Sequence, residues 1–246
     1  MNLGISGRIA VITGGSEGIG KAAAAILAEE GANVVILART QSKLDAAVVE
    51  IGQTAVGSIQ GISCDVSDKA SVESAFELIL ANHGKVDILV NNAGQGNANT
   101  FDSLTAKIVD DDYRLKIHGA MNCSKAALPS MRTQKWGRII NITTAAGKAA
   151  GYSTLPTAMS RAAGIAMTKS MSKEYGVDNI LVNTVCIGSI RSAQNMKRAE
   201  EAVASGAVAT TEDYYTERCK TVPVLRVGEA REAGDLIAYL ASDRAS

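Results

Sequence analysis

Between a short β-branched run and an alanine-rich segment, the chain reads Thr13-Gly14-Gly15-Ser16-Glu17-Gly18-Ile19-Gly20. Glycines at 14, 18 and 20 let a backbone turn tightly and approach a pyrophosphate. A helix that starts here aims its first N–H groups at that charge. Loops use glycine freely, and the spacing differs by one residue from the commonest dinucleotide fingerprint, so the turn alone says little. Its place between a strand and a helix is what points to a nucleotide. The next strand ends in Ala38-Arg39. An NAD site wants an acid near that point to accept from the ribose 2′-hydroxyl. Ala38 offers none, whereas the Arg39 guanidinium can pair with a 2′-phosphate. The reading is NADP(H) ahead of NAD(H), with Ser16, Glu17 and Ile19 joining the three glycines and Arg39 around the cofactor. Glu17, also in the turn, argues the other way, since an acid there repels a phosphate. Taken alone, Arg39 reads as a solvated surface arginine.

Metal chemistry has little support. His83 and His118 are the only histidines, and Cys64, Cys123, Cys186 and Cys219 share no ligand or redox-motif spacing. No metal is expected, and the four cysteines read as buried, reduced thiols.

A nucleotide turn needs a scaffold that gathers strand ends. Apolar runs at residues 8–13, 33–38, 58–63, 86–91, 138–143 and 180–186 alternate with helical patterns at 19–30, 41–51, 67–82, 104–132, 156–175 and 229–241. Ser67 or Asp68 is the expected cap of the third helix. Continuous apolar strands alternating with helices predict an α/β fold, a doubly wound parallel sheet with helices on both faces, Rossmann-like. Residues 191–222 are charged and alanine-rich, and read as a mobile helical lid. No repeat, low-complexity tract or linker divides the chain, so residues 1–246 read as a single domain holding both the nucleotide site and the substrate pocket.

Composition narrows the function. The 25 Lys+Arg and 25 Asp+Glu residues leave no net charge, unlike a general nucleic-acid or membrane-surface binder, which needs a basic excess. At 46% hydrophobic and 20% charged residues, the chain has the balance of a folded domain and not of a disordered one. No apolar run approaches the 18 or so residues of a membrane span, and no secretory signal is present. A cytoplasmic protein with a small-molecule substrate is expected, with neither nucleic-acid nor membrane partners.

The segment TGGSEGIG, then Cys64-Asp65-Val66, then Asn91-Asn92-Ala93-Gly94 together resemble the short-chain dehydrogenase/reductase superfamily in its single-domain branch, from residue 8 to the C-terminus. The resemblance implies that Asp65 and Val66 hold the adenine. It implies that Asn92, Ala93 and Gly94 support the sheet centre and the nicotinamide-side ribose, and that Gly188 and Ile190 reach the cofactor. In that family a Tyr and a Lys four residues apart exchange the proton and hold the ribose, a Ser orients the carbonyl, and an Asn anchors a relay water. Matched by spacing, the Tyr position is Thr157, the Lys position Arg161, the Ser position Thr144 and the Asn position Lys116. The usual Pro-Gly after the sixth strand reads Ile187-Gly188.

All four catalytic positions are thus substituted. A phenol near 10 can be drawn toward neutrality by a cation, but a threonine hydroxyl has no accessible ionisation and an arginine keeps its proton. Thr157 and Arg161 share a helix face at i and i+4 and can bind an oxygen or the ribose without replacing the acid–base pair. Loss of a positioned acid removes about 10²–10⁴ in rate. Lys116 is the functional candidate for a new proton donor, with Arg161 also assigned to the cofactor. A solvated helix lysine is the plainer reading of Lys116, as a surface-packed loop aromatic is of Tyr152. Tyr214 and Tyr215 read as lid contacts or packing residues.

Three functions follow. The first is a divergent NADP(H)-dependent oxidoreductase acting on a small carbonyl or alcohol. The second is a non-catalytic nucleotide-binding protein or partner subunit. The third is a lyase or isomerase using Lys116. Relatives continue past the helix at 229–241 with a final strand and a glycine-containing tail, whereas this sequence stops at Ser246 in LASDRAS. The expectation is a truncated sequence or a missing seventh strand. A homo-oligomer, dimer or tetramer, is expected, with that strand normally part of its interface.

Overall fold

The first strand shows how the layers are set. In the computed structural model, which describes residues 2–245, β1 (Ile9–Thr13) is buried along its whole length. Ala10 and Ile12 face one core and Val11 the other, the period-two alternation of a strand covered on both sides. The chain continues through α1 (Gly18–Glu29), β2 (Asn33–Ala38), α2 (Gln41–Gly52), β3 (Ile59–Ser63), α3 (Lys69–His83), β4 (Ile88–Asn91) and β5 (Ala98–Asn99). Next come α4 (Ala106–Tyr113), a π-helical turn (Arg114–His118), α5 (Gly119–Gln134), β6 (Gly137–Thr144), β7 (Leu155–Pro156) and α6 (Thr157–Tyr175). The last elements are β8 (Ile180–Ile187), β9 (Ile190–Arg191), α7 (Ala193–Ala204), α8 (Thr211–Cys219), β10 (Gly228–Glu229) and α9 (Ala230–Ala241).

Six strands form one parallel sheet in the order β3-β2-β1-β4-β6-β8. The fold is the expected Rossmann-like α/β architecture. One core lies under α1, α2 and α9 (Leu27, Leu44, Ile237), the other under α3 and α5 (Phe76, Cys123, Met131). α9 packs tightly on α1, because Gly234 leaves no room for a Cβ beside Ile26 and Ala22. The strand order reverses between β1 and β4, and an open α/β sheet leaves its ligand crevice at the carboxyl ends of the strands at such a point.

Several expectations change in detail. Of the two residues expected to cap α3, Asp68 does so, accepting from Ala70 N. Of the stretch 104–132, residues 106–132 are helical, with the π turn between α4 and α5. Residues 191–222 contain two helices, the second opened by a capping box between Thr210 and Asp213. Cys64 and Cys123 are buried free thiols, but Cys186 is exposed and Cys219 half-buried. Cys186 fails the burial expectation because β8 is an edge strand of the sheet, with one face incompletely covered. Among the described residues no helix is long and apolar enough to cross a membrane.

Candidate active site

The glycine turn is welded to the loop after β4. Thr13 Oγ1 accepts from the backbone N–H groups of Asn92 and Ala93, each at 3.0 Å, and Asn92 Nδ2 donates to the carbonyls of Thr13 and Gly14, each at 3.1 Å. Gly14 and Gly18 have φ of +63° and +57°, the left-handed region that other residues avoid. A Cβ on Gly20 would lie 2.3 Å from the Gly14 carbonyl oxygen. No side chain caps the first turn of α1, since the Glu17 side chain makes no cap bond. The first N–H groups of α1 therefore stay available to an anion. Ser16 and Ile19 are half-buried beside them. The N-terminus of α7 rests on this turn, with Ala193 N 3.3 Å from the Cβ position of Gly18.

Around the crevice, Arg39 is exposed at the end of β2. Asp65 is half-buried, its Oδ1 accepting from Ser67 N at 2.9 Å and Ser67 Oγ at 2.7 Å. Burial pushes the Asp65 carboxyl up, but the Ser67 bonds and the Arg39 charge outweigh it and leave its pKa below the usual carboxylate value. Val66 is buried against Gly119. Gly188 is exposed, and Ile190 is half-buried against Gly228 where β9 pairs with β10.

The positions matched to the tetrad meet at the junction of the π turn, β6 and α6. Lys116 is only 5% exposed, so the reading of a solvated lysine is overturned. The π turn rotates it inward, a distortion often found where a helix serves a site. Its Nζ donates to Asp112 Oδ1 at 2.5 Å and to Thr157 Oγ1 at 3.0 Å. Asp112 is equally buried, and its second oxygen accepts from Ser160 Oγ at 2.6 Å. Burial pulls the Lys116 ammonium down to about 8, helped by the Arg161 charge and opposed by Asp112.

Thr157 is fully committed. Its Oγ1 donates to Asn97 O at 2.8 Å and accepts from Asn97 N at 2.9 Å as well as from Lys116. It tethers the loop after β4 instead of presenting a proton. Arg161 donates from Nη1 to Ile142 O at 2.7 Å, and its Nε is buried with no partner. Its Nη2 lies 2.8 Å from the Cβ position of Gly94, and Lys116 Cγ lies 3.5 Å from the same point. A side chain at position 94 would press on the Arg161 guanidinium, while the Lys116 methylene stands at ordinary contact distance. Thr144 Oγ1 is buried without a partner.

Tyr152 stays out of this cluster at 91% exposure. Tyr215 is buried under the Arg191 guanidinium with Ala199 and Val227, and Tyr214 packs edge-on against it. Sequence reasoning missed Asp112, Ser160 and Asn97. For Asp112 a signal existed, since it lies four residues before Lys116, the spacing that pairs side chains on a helix. For Asn97, a loop residue 60 positions from Thr157, no local pattern exists. Among the described residues no group of His, Cys, Asp or Glu could hold a metal ion.

Comparison with known proteins gives relatives over nearly the whole chain. A family model described as short chain dehydrogenase matches residues 8–203. Oxidoreductase UcpA of Salmonella typhimurium is 33% identical over 243 residues, covering 98% of this chain and 90% of that protein. The 3-oxoacyl-[acyl-carrier-protein] reductase FabG of Escherichia coli is 33% identical over 248 residues, covering 99% and 93%. Among solved structures, L-sorbose reductase of Gluconobacter frateurii, complexed with NADPH and L-sorbose, superimposes with a TM-score of 0.95 at 28% identity. That match covers 100% of this chain and 93% of the reductase.

Proposed function

This chain belongs to the short chain dehydrogenase family, and on that premise we propose an NADP(H)-dependent oxidoreductase for a small carbonyl or alcohol, with Lys116 as the proton donor. The observation that carries the reading is the buried Lys116 ammonium, held beside Arg161 and Gly94 at the inner end of the nucleotide crevice. The residues present fit a dinucleotide. The glycine turn is closed to any side chain at Gly20, and the α1 N-terminus is uncapped. Arg39, exposed just past β2, is the residue this reading pairs with a 2′-phosphate, and the structural neighbours include an L-sorbose reductase complexed with NADPH and an NADPH-dependent reductase, YwfH.

In this proposal Gly14, Ser16, Gly18, Ile19 and Gly20 hold the pyrophosphate, and Asp65 and Val66 flank the adenine. Ala93, Gly94, Gly188, Ile190 and Arg161 line the nicotinamide end. The cofactor, when bound, supplies or takes up hydride. Lys116 Nζ gives its proton to the substrate oxygen during reduction, leaving a neutral amine. Asp112 holds that nitrogen in place and favours its reprotonation. Thr144 Oγ1, the buried hydroxyl without a partner, donates to the same oxygen. Arg161 stays charged and orients the ribose through Nε and Nη2. Residues 191–222 act as the lid over a polar substrate.

A second reading, a nucleotide binder without turnover, is favoured by one observation: the Thr157 hydroxyl is consumed by Asn97. Calorimetric titration with NADPH and NADH, followed by a carbonyl and alcohol panel read at about 340 nm, separates the two. Tight NADPH binding with turnover supports the oxidoreductase. Binding with no absorbance change across the panel selects the binder. Failure of both coenzymes to bind removes both.

A further inference from the structure

Glu17 and Lys43 form an ion pair that joins the glycine turn to the first turn of α2. Lys43 Nζ donates to both Glu17 carboxylate oxygens, each at 3.0 Å. Each side chain is about half exposed, at 53% and 51%. The pair reaches from the start of α1 to the start of α2, just past Arg39. It therefore sits on the rim of the crevice where the adenosine ribose would lie. Lys21, the neighbouring cation on α1, is engaged elsewhere with Glu50 at 2.8 Å. Arg39 enters no ion pair among the described residues.

We infer that Lys43 is a second cation for the 2′-phosphate of NADP(H), and that Glu17 sets the strength of that preference by competing for it. The inference rests on the NADP(H) reading above. An exposed ion pair is held weakly, because solvent screens it and two side chains must be ordered. A phosphate carries more charge than a carboxylate and more acceptor oxygens, so it can recruit a lysine from Glu17. The side chain is long and flexible enough to change partners without moving α2. Glu17 is then left unpaired close to a dianion, which weakens binding of the phosphorylated cofactor. The pair thus acts as a brake on NADP(H) affinity and leaves NAD(H), which carries only a 2′-hydroxyl, almost untouched.

The test is calorimetric titration of the full chain with NADPH, NADH, 2′,5′-ADP and 5′-AMP, with no turnover required. Lys43→Gln is expected to raise the Kd for NADPH and 2′,5′-ADP about fivefold, the upper range for one exposed charge pair. Glu17→Gln is expected to lower the same two constants by about the same factor. NADH and 5′-AMP should move less than about twofold, and the differences should shrink in high salt. Both side chains are exposed, so a melting curve by circular dichroism should match the parent. Unchanged NADPH and 2′,5′-ADP affinity in both variants, or an equal change in NADH, overturns the role of the pair while leaving the cofactor reading intact. If the parent chain binds neither phosphorylated ligand, the cofactor reading itself fails and the inference falls with it.

Discussion

At the scale of single residues, the buried Lys116–Asp112 pair carries the proposed proton transfer. Two desolvated charges 2.5 Å apart hold each other in place, and removing one strands the other. Lys116→Met alone is expected to lose about 3–5 kcal/mol of stability in urea unfolding. Adding Asp112→Leu should recover most of that loss, since an apolar pair of similar volume is often no worse than a buried ion pair. The same residues give a pH signature. A proton donor works only while protonated, and the Lys116 ammonium titrates at about 8. The rate of carbonyl reduction should be level below that pH and fall about tenfold per unit above it, with alcohol oxidation rising through the same range. Asp112→Asn removes the charge that favours the ammonium, so the midpoint should move to lower pH in the same assay. A midpoint unaffected by Asp112→Asn would assign the profile to another group.

At the scale of elements, two local structures matter. The first is the glycine turn, which depends on β1, α1 and the loop after β4 meeting through Thr13 and Asn92. Gly20→Ala drives a methyl group against the Gly14 carbonyl oxygen and should weaken nucleotide binding by at least about tenfold, with a lower melting temperature. Titration of the variant with NADPH checks this. The second is the π turn between α4 and α5. It carries Lys116 inward where an uninterrupted helix would place it on a different face, and β5–β7 pairing brings Asn97 to Thr157. The sequence predicts helix on both sides of Lys116 but gives no sign of the extra residue in the turn. The burial of Lys116 is therefore not legible in the sequence.

For the whole molecule, the sheet order places the crevice at the β1/β4 switch point and puts α1, α2 and the β4 loop around it. A ligand there contacts several elements at once, so binding should stabilise the entire fold. At a concentration 100 times its Kd, NADPH should contribute about 2.7 kcal/mol, a rise of about 5–10 °C in melting temperature for a chain of this size. Differential scanning calorimetry checks the shift, and a smaller rise with NADH at equal concentration would accord with the phosphate preference. Self-association into a dimer or tetramer is a further proposal, which multi-angle light scattering tests directly.

The sequence by itself determined the layered α/β fold, because continuous apolar strands alternating with helices admit few other packings. It also determined the glycine turn between β1 and α1, whose glycines lie within eight consecutive residues and report their own backbone geometry. The placement of Arg39, Asp65 and the Asn92–Gly94 loop just past the ends of β2, β3 and β4 was legible for the same reason. The tertiary structure decided the surroundings of Lys116. Asp112 on α4, Thr157 and Ser160 on α6 and Asn97 in the loop after β4 form one hydrogen-bonded cluster with Lys116 from three separate segments. Lys43 meets Glu17 across 26 residues of chain. A charge's effect depends on its distance to partners and its access to water, and neither quantity exists until the chain has folded.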